Sequence, residues 1–519
     1  MPWLHDLVVP IENIDDLTQV AAQALGVRRD DVTTVRVARK SIDARHRRPR
    51  WVLTLAVGLR GEAAPELDPR LVEAPVVADP ARRVVIVGTG PAGLFAALRC
   101  ADAGIGVTIL DRGGALKDRH RRSRRLRAEG ELDPETNLCF GEGGAGTYSD
   151  GKLYTRKKDE RVREVYERLV AFGATPDILV EAHPHVGTNE LIPVLAAIHE
   201  HLEARGTRFA FDTRVDDLIV EDGRCRGVIA TTLATGESVE FPADAVLFAT
   251  GHSARDTYAM LARRGVRLER KPFAVGARVE HPQELIDRIQ FGDSAGHPSL
   301  GAAEYFLKCQ VGGRGIYSFC MCPGGFIIPT PTEVGHLNVN GMSNASRANG
   351  FSNAALVVTV NPDDSAPSGD ALDGLLWQRA IERKTFLAGG GGYAAPATRL
   401  TDFARGKPST TLPDRTSYRP KLAATDIGEV LPDFVSAAIR AALQQFDRNL
   451  RGYLTSEAII VASETTTSSP IRIPRTAGYE SVTLPGLFPV GEGAGYAGGI
   501  VSSAIDGMNA VEAALGAPR

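Results

Sequence analysis

The sequence predicts an α/β plus α+β protein, built from a discontinuous Rossmann-like dinucleotide-binding domain, an inserted mixed domain and a small N-terminal α+β module. Three observations predict this class. The chain has 519 residues, more than one ordinary core holds. Residues 84–112, VVIVGTGPAGLFAALRCADAGIGVTILDR, run as strand, glycine-rich turn, helix and strand. A second strand, glycine-rich turn and helix, GLFPVGEGAGYAGGIVSSAIDG, lies near the other end of the chain.

The composition narrows the class of protein. Hydrophobic residues make up 43% and charged residues 24%, which is typical of a globular chain. The net charge of -3 gives no overall attraction to nucleic acid or to anionic membranes. The N-terminus has no basic region before an apolar core, so we predict a cytoplasmic protein with no membrane partner. Six cysteines without paired CxxC motifs predict neither a disulfide scaffold nor a structural metal.

The chain divides into four predicted segments. Residues 1–80 hold a small α+β module and an acidic, proline-containing linker. Residues 81–255 form the first part of the dinucleotide-binding domain, in which a helix at 189–205 precedes a run of hairpin strands ending in VLFATG. Residues 256–480 contain no second strand-GxGxxG-helix unit and are predicted to form the substrate domain. Residues 481–519 return to complete the first domain.

The first glycine-rich turn predicts a site for a dinucleotide. Gly88 allows the tight turn, Gly90 lets the backbone approach a pyrophosphate, and Gly93 lets the helix and strand pack closely. Free N–H groups at the start of the helix face the anion. Asp111 ends the second strand, and its carboxylate can accept a hydrogen bond from a ribose hydroxyl. The alternative is a glycine-rich turn without a ligand.

Later segments favour a flavin over a nicotinamide. In a nicotinamide dehydrogenase the β-α repeats normally continue, whereas here hairpins interrupt them and the chain returns through Thr250 and Gly251. In the C-terminal segment, Gly491 and Glu492 are predicted to lie near ribityl and phosphate groups. A helix beginning near Gly499 would direct its N-terminal dipole at the flavin. The predicted cofactor is therefore FAD.

Several blocks make the chain similar to a known family: NLCFGEGGAGTYSDGKLYTR, HPHVGTNEL, KPFAVGARVEHPQELID, YSFCMCPGG, NGMS, TSYRP, TSSPIRI and VGEGAGYAGGIVSSAIDG. Together they resemble a bacterial family of FAD-dependent dehydrogenases of unknown substrate, with the glutathione-reductase type of FAD-binding fold. Lys421, where the family usually has Gly, and Thr466, where Arg is common, depart from its pattern. The residues that the motifs and the resemblance predict around FAD are Gly88, Gly90, Pro91, Ala92, Gly93, Asp111, Arg112, Gly143, Gly144, Ala145, Gly146, Thr147, Val215, Thr250, Gly251, Gly491, Glu492, Gly498, Gly499 and Ile500.

Candidate catalytic side chains follow the glycines of the loop GEGGAGTYSDGKL, residues 141–153. A lysine near flavin N1 and O2 stabilises the reduced flavin, so Lys152 is one candidate, and Tyr148 is a candidate proton relay. In the alternative interpretation the glycines enclose phosphate, and Tyr148 and Lys152 only brace the loop. The sequence leaves both interpretations open.

A cysteine pair and a histidine pair give further candidates. Cys320 and Cys322 share one face of a predicted extended strand, either as a redox or reactive thiol pair or, as the sequence favours, as two buried core cysteines. His183 and His185 precede a helix predicted to be capped at Thr188 or Asn189. The histidines are candidates for a general acid and a substrate ligand, with a structural role as the alternative.

Two other stretches have features of binding segments. The glycine-rich stretch 388–397 precedes no clear helix, so we predict a loop approaching the substrate or the flavin edge. Basic stretches at 36–50 and 117–127 raise the alternative of a flavin- and RNA-binding protein, with the N-terminal module as the RNA contact. The second stretch has no aromatic residue for base stacking. A solvated helix face reaching the FAD pyrophosphate is therefore preferred, and nucleic acid is a disfavoured partner.

Taken together, the sequence predicts an FAD-dependent oxidoreductase that transfers a hydride between flavin N5 and a small organic substrate. A redox-neutral, flavin-dependent isomerase is the alternative. The partners are a small molecule and an unidentified electron donor or acceptor. NAD(P)H is left open as a transient donor, because no second nucleotide loop is present.

Overall fold

The computed structural model describes residues 2–45, 48–62, 79–365 and 368–515. The predicted linker therefore lies mostly outside the described residues, as do positions 46 and 47 of the first basic stretch. Among the described residues, no helix combines the length and the apolarity needed to cross a bilayer.

The N-terminal module is an antiparallel sheet with one helix. Its elements are β1 (Trp3–Pro10), α1 (Leu17–Leu25), β2 (Val32–Asp43) and β3 (Arg50–Leu59), and the strand order is β1-β3-β2. Asp16 caps α1 by accepting a hydrogen bond from Gln19 N at 3.0 Å. Gly26 ends the helix in the left-handed conformation. The α+β module is present as predicted.

The next part of the chain supplies the elements of the predicted nucleotide domain. They are β4 (Asp79–Val87), α2 (Pro91–Asp102), β5 (Ile105–Leu110), α3 (Leu116–Glu129), α4 (Arg161–Ala171), α5 (Thr188–Ala204), β6 (Arg208–Ala210), β7 (Thr213–Glu221), β8 (Arg224–Thr232), β9 (Glu237–Pro242), β10 (Ala245–Phe248) and α6 (Arg255–Arg263). Helix α5 begins at Thr188. The residue at its N-cap is Gly187, so no side chain caps this end of the helix. The predicted cap at Thr188 or Asn189 is therefore wrong.

The middle of the chain is built on a large mixed sheet. Its elements are β11 (Glu269–Arg270), β12 (Phe273–Pro282), α7 (Gln283–Phe291), β13 (Lys308–Val311), β14 (Arg314–Cys322), β15 (Gly325–Pro329), β16 (Val339–Ser343), β17 (Phe351–Val360), α8 (Pro362–Ser365), α9 (Asp373–Ala388), β18 (Ala395–Arg399), α10 (Leu400–Ala404), β19 (Leu422–Ala424), α11 (Ile427–Val430), α12 (Asp433–Asn449), β20 (Ile459–Glu464) and β21 (Ile471–Arg472). The seven-stranded sheet has the order β13-β14-β17-β12-β20-β18-β19.

The C-terminal segment completes the nucleotide-binding sheet. Strand β22 (Leu487–Pro489) pairs in parallel with β10, and α13 (Ile500–Leu515) follows it. The parallel sheet has the order β22-β10-β4-β5-β6, so its strands come from both ends of the chain. This arrangement confirms the predicted discontinuous α/β fold.

The side chains of β4 alternate between two cores. Val84 and Ile86 pack on the face covered by helices α2, α5 and α13. Val85 and Val87 pack on the opposite face, against α6 and the antiparallel sheet β7-β8-β9. Because successive strand residues point to opposite faces, β4 packs against the helices on one face and against the antiparallel sheet and α6 on the other.

The N-terminal module is joined to the loop before α5 by backbone hydrogen bonds. Lys40 N in β2 donates to Val180 O at 2.7 Å, and Ala182 N donates to Lys40 O at 2.9 Å. The same segment then pairs with the chain around Lys152, because Leu153 N donates to Pro184 O at 2.9 Å. The edge strand of the module is thereby covered.

A buried carboxyl group in β12 predicts a pH-dependent stability. Glu280 is 2% exposed and accepts hydrogen bonds from the backbone N–H and the hydroxyl of Ser417. Burial raises its pKa from 4.5 to about 7. Between pH 4.5 and about pH 7 the folded chain holds a proton that the unfolded chain has released. Glu280 therefore lowers the free energy of unfolding as the pH rises through this range.

Glu280→Gln removes this titration and keeps both bonds to Ser417, because the amide accepts one and donates the other. The stability of wild type relative to the variant is expected to fall by about 2.5 kcal/mol between pH 5 and pH 8. Urea unfolding of both proteins at each pH measures the difference. A difference that stays constant with pH would contradict the placement of this carboxyl.

Candidate functional site

A cavity of about 430 Å³ lies at the carboxyl ends of β4, β10 and β22. This edge is where open α/β sheets bind ligands. The walls come from the glycine-rich turn after β4, the return after β10 and the start of α13. Further walls come from the loop 139–154, from Phe319 and Cys320 of the mixed sheet, and from Asn340 of β16, which pairs with β15 in a separate two-stranded sheet. The cavity therefore lies where the two large sheets meet.

The three glycines of the first turn have different physical roles. Gly88 has φ +104°, and a Cβ there would lie 2.5 Å from Ala249 O. A Cβ on Gly93 would overlap Gly88 O. At Gly90 the nearest atom to an added Cβ is Gly144 Cα at 3.9 Å. Gly88 and Gly93 are therefore needed for close packing within the chain, whereas Gly90 leaves open space in the cavity.

Asp111 lines the cavity, but its carboxylate is hydrogen-bonded to other residues of the chain. Oδ2 accepts hydrogen bonds from Thr89 N at 2.9 Å and from the Thr89 hydroxyl. Oδ1 accepts from Gly113 N at 2.9 Å and Gly141 N at 3.1 Å. A carboxylate accepts about four hydrogen bonds, so Asp111 braces the glycine-rich turn. Its predicted bond to a ribose hydroxyl remains a prediction.

Two helix starts face the cavity and fit an FAD diphosphate. Gly90 and Pro91 at α2, and Gly499 and Ile500 at α13, are among its lining residues. Free N–H groups and the positive dipole end of a helix favour an anion at each start. A Cβ added at Gly251 or Gly499 would meet nothing within 4 Å, so these glycines leave room for a bound group. The residues therefore fit FAD.

Most predicted cofactor residues line this one cavity. Gly93, Gly143 and Thr147 do not; Thr147 Oγ1 instead lies 3.2 Å from Arg119 Nη1 and 3.4 Å from Glu142 O. The predicted residues that line it are Gly88, Gly90, Pro91, Ala92, Asp111, Arg112, Gly144, Ala145, Gly146, Val215, Thr250, Gly251, Gly491, Glu492, Gly498, Gly499 and Ile500.

Lys152 lines the cavity within a buried charge network. Its Nζ donates to Asp150 Oδ2 at 2.8 Å and to Met321 O. Asp150 also accepts from Arg347 Nη2 at 2.6 Å and from the Ser343 hydroxyl. Burial alone would raise the pKa of Asp150, but the charges of Lys152 and Arg347 lower it to about 2. Burial opposes the charged form of Lys152, and Asp150 outweighs it, raising its pKa.

Cys320 lines the cavity, and Cys322 is buried behind it. Strand β14 continues through both cysteines, but its regular alternation is broken, because Cys320 has φ +45° and the pairing with β17 shifts between Phe319 and Cys322. Cys322 Sγ lies 3.3 Å from Cys320 O. A hydrogen bond from Cys322 and the charges of Lys152 and Arg278 lower the pKa of Cys320 despite its burial.

His252 and Glu492 form a second titratable pair at the cavity. His252 Nε2 lies 3.7 Å from Glu492 Oε1. Burial, with the charges of Arg255 and Lys271, lowers the pKa of His252 to about 4. Burial raises the pKa of Glu492 to about 7, although Lys271 opposes this shift. The imidazole is therefore neutral at neutral pH, where the carboxyl exchanges its proton readily.

Tyr148 does not line the cavity, and its predicted role as a proton relay stays a prediction. The ring packs with Leu138, Ile328 and Met342 in a small core. The guanidinium of Arg119 lies over it at 4.9 Å. Its hydroxyl is buried without a hydrogen-bond partner among the described residues. Burial raises its pKa, which keeps the hydroxyl protonated.

The histidine pair does not line the cavity either, and its predicted catalytic role stays a prediction. His183 is exposed and packs edge-to-face on Tyr154 at 4.8 Å. His185 Nε2 lies 3.2 Å from Ala345 O. Residues 183–185 instead pair with the chain around Lys152, so the alternative structural interpretation is preferred.

The loop 388–397 and the basic helix α3 do not reach the cavity, so both predicted approaches are wrong. Gly392 of the loop lies against Gly130. In α3, Arg119 is fully buried and donates to the carbonyls of Asn137, Leu138 and Glu142. Three other arginines of α3, Arg121, Arg122 and Arg125, form ion pairs with nearby carboxylates.

Several residues of the cavity were not predicted as site residues. His252 directly follows the predicted return at Thr250 and Gly251, so its position in the sequence was an available signal. Asn340 lies in the block NGMS, which carried the resemblance. Thr466, noted above as a departure from the family pattern, lines the cavity and accepts a hydrogen bond from Asn338 Nδ2 at 2.8 Å.

Comparison with protein families agrees with this site. An FAD binding domain matches residues 117–277. A model described as "FAD-dependent protein, C-terminal domain-like" matches residues 272–467. Residues 1–58 match a domain of unknown function. An uncharacterized protein of Clostridium beijerinckii is 37% identical over 518 residues, which is 96% of each chain.

Solved flavoenzymes give weaker overlaps. A variant of E. coli quinol fumarate reductase matches 83% of this chain and 69% of its own, with 13% identity and a TM-score of 0.36. The L-amino acid deaminase from Proteus vulgaris matches 86% of this chain and 97% of its own, with 14% identity and a TM-score of 0.35. These overlaps are too weak to indicate a substrate.

Proposed function

The chain belongs to a family of FAD-dependent proteins, and on that premise we propose that it is an oxidoreductase exchanging a hydride with a small organic substrate. One observation carries the proposal: a single cavity joins a glycine-rich nucleotide cradle to Lys152, His252 and Cys320. FAD supplies the hydride chemistry when bound, through flavin N5. The protein supplies orientation, charge and proton transfer.

The chain would hold the cofactor through its backbone. The helix starts at Gly90 and Gly499 direct N–H groups and dipoles toward the cavity, where they favour the diphosphate. Gly251 leaves free space beside them. The nearby charged side chains would contribute less, because Asp111 and Arg112 already bond to other residues of the chain.

The ionisable side chains on the other walls would handle charge and protons. Lys152 stays protonated, so it favours negative charge in the cavity. The carboxyl of Glu492, with a pKa of about 7, can hold or release a proton at neutral pH. Neutral His252, 3.7 Å from it, can accept or donate a hydrogen bond without adding charge.

Anaerobic mixing of the purified yellow protein tests the proposal. We expect NADH, NADPH or a reduced organic substrate to bleach the visible flavin band, and an oxidised substrate to restore it. Lys152→Met should retain flavin but slow this reduction, and exposed Lys158→Met is the matched control. Protein that binds no flavin contradicts the site. Turnover on reduced flavin without net oxidation would favour the isomerase instead.

A further inference from the structure

The strand β14 ends in an irregularity at which Cys320 lines the cavity and Cys322 is buried. Cys320 adopts φ +45° where the pairing with β17 shifts. Bulges of this kind redirect side chains and are frequent next to active sites. Cys320 consequently lines the cavity, whereas Cys322 is completely buried behind it.

Two cations hold the backbone of this segment on opposite sides. Lys152 Nζ donates to Met321 O, between the two cysteines. Arg278 Nη1 donates to Cys320 O at 3.1 Å and lies 4.0 Å from Cys322 Sγ. Both cations favour a thiolate at Cys320, which is the condition for a reactive cysteine.

Cys139 also lines the cavity, but burial raises its pKa, as it does those of Cys225 and Cys309, so each of these three remains a thiol. By contrast, the neighbouring thiol of Cys322 and the two cations lower the pKa of Cys320, while the pKa of Cys322 is raised. A low-pKa sulfur at a cavity with a protonated sulfur beside it is the arrangement of an attacking and a resolving cysteine.

We propose that Cys320 and Cys322 form a redox-active thiol pair that exchanges two electrons with FAD. In the oxidising direction the Cys320 thiolate and the Cys322 thiol form an S–S bond and lose two electrons in total. Both electrons and the Cys322 proton pass to oxidised FAD, giving the reduced anion. In the reverse direction the reduced flavin opens the disulfide. The pair would give the protein a second two-electron store.

The proposal of a thiol pair rests on the proposed flavin oxidoreductase function, but it can be tested without an organic substrate by a reductive titration that counts electrons. Holoprotein is oxidised with diamide, freed of the reagent and titrated anaerobically with dithionite. Wild type is expected to take up about four electrons per flavin, two for the disulfide and two for FAD. Cys320→Ser and Cys322→Ser should each take up about two. Cys309→Ser, in β13 and outside the cavity, should match wild type.

Equal uptake by wild type and both serine variants would overturn the thiol pair, whatever the outcome of substrate tests. If a serine variant fails to retain flavin, alkylation of the corresponding tryptic peptide from wild type tests the proposal instead. The tryptic peptide 315–347 contains both cysteines and no other. Its thiols should resist alkylation before the dithionite titration and react fully after it. Full alkylation in the diamide-treated sample would overturn the proposal.

Discussion

Gly90→Ala is expected to give a folded protein that binds FAD much more weakly than wild type. The backbone at Gly90, with φ -70° and ψ -178°, is accessible to alanine. The added methyl group would occupy the space through which the diphosphate approaches the start of α2. Losing one or two hydrogen bonds to a charged group costs about 1.5–3 kcal/mol each. FAD affinity should therefore fall at least about tenfold, as flavin absorbance per protein measures.

Gly350→Ala is the matched control for this variant. An added Cβ at Gly350 meets nothing within 4 Å, and the residue does not line the cavity. Its flavin content should equal that of wild type. Gly93→Ala is a contrasting case, because its Cβ would overlap Gly88 O and should disturb folding itself. Normal flavin content in Gly90→Ala would contradict the assigned position of the diphosphate.

Glu464→Gln is expected to destabilise the mixed sheet strongly. Arg278 and Glu464 are 0% and 1% exposed, and Nε lies 2.7 Å from Oε2. Removing the charge of one partner leaves the other buried without a counterion, which costs about 3–5 kcal/mol. The effect should reach the cavity, because Arg278 also donates to Asn340 Oδ1 and Cys320 O. Urea unfolding followed by tryptophan fluorescence measures the loss.

An exposed pair provides the comparison for the buried one. Arg288 and Glu284 form an ion pair on the surface of α7, with side chains 55% and 81% exposed. Glu284→Gln should cost no more than about 0.5 kcal/mol. The double variant Arg278→Met with Glu464→Leu should recover part of the stability, since it buries no charge. A loss below about 1 kcal/mol in Glu464→Gln would show that water reaches this pair.

Local patterns predicted the nucleotide half of the site well. The order of strand, turn and helix at residues 84–111 depends on neighbours in sequence, so its glycines could be assigned in advance. The C-terminal turn before α13 was found in the same way. Gly143 and Thr147 were placed near FAD by family position, but the side chain of Thr147 points to Glu142 O.

The chemical half of the site was predicted less well, because side-chain direction depends on packing. Tyr148 is in the predicted loop, yet its ring packs under Arg119 and away from the cavity. His183 and His185 became part of a short ladder with the chain around Lys152. The bulge that redirects Cys320 depends on pairing with β17, which single-sequence periodicity does not reveal.

The charge networks had no sequence signal, because their members are distant in the chain. Asp150 and Arg347 are separated by 197 positions. Arg278 and Glu464 are separated by 186 positions. No spacing rule relates residues so far apart, so only the fold identifies these partners.

The backbone bonds at Lys40 connect the module to the segment beside Lys152, and we expect the two to open together in local unfolding. Opening the edge of β2 frees residues 180–182, which are continuous with the segment that pairs beside Lys152. The amides of Lys40, Ala182 and Leu153 should therefore exchange hydrogen with deuterium at similar rates. If so, anything that binds the N-terminal module and slows its opening also slows the motion of Lys152, although no described residue of the module lines the cavity.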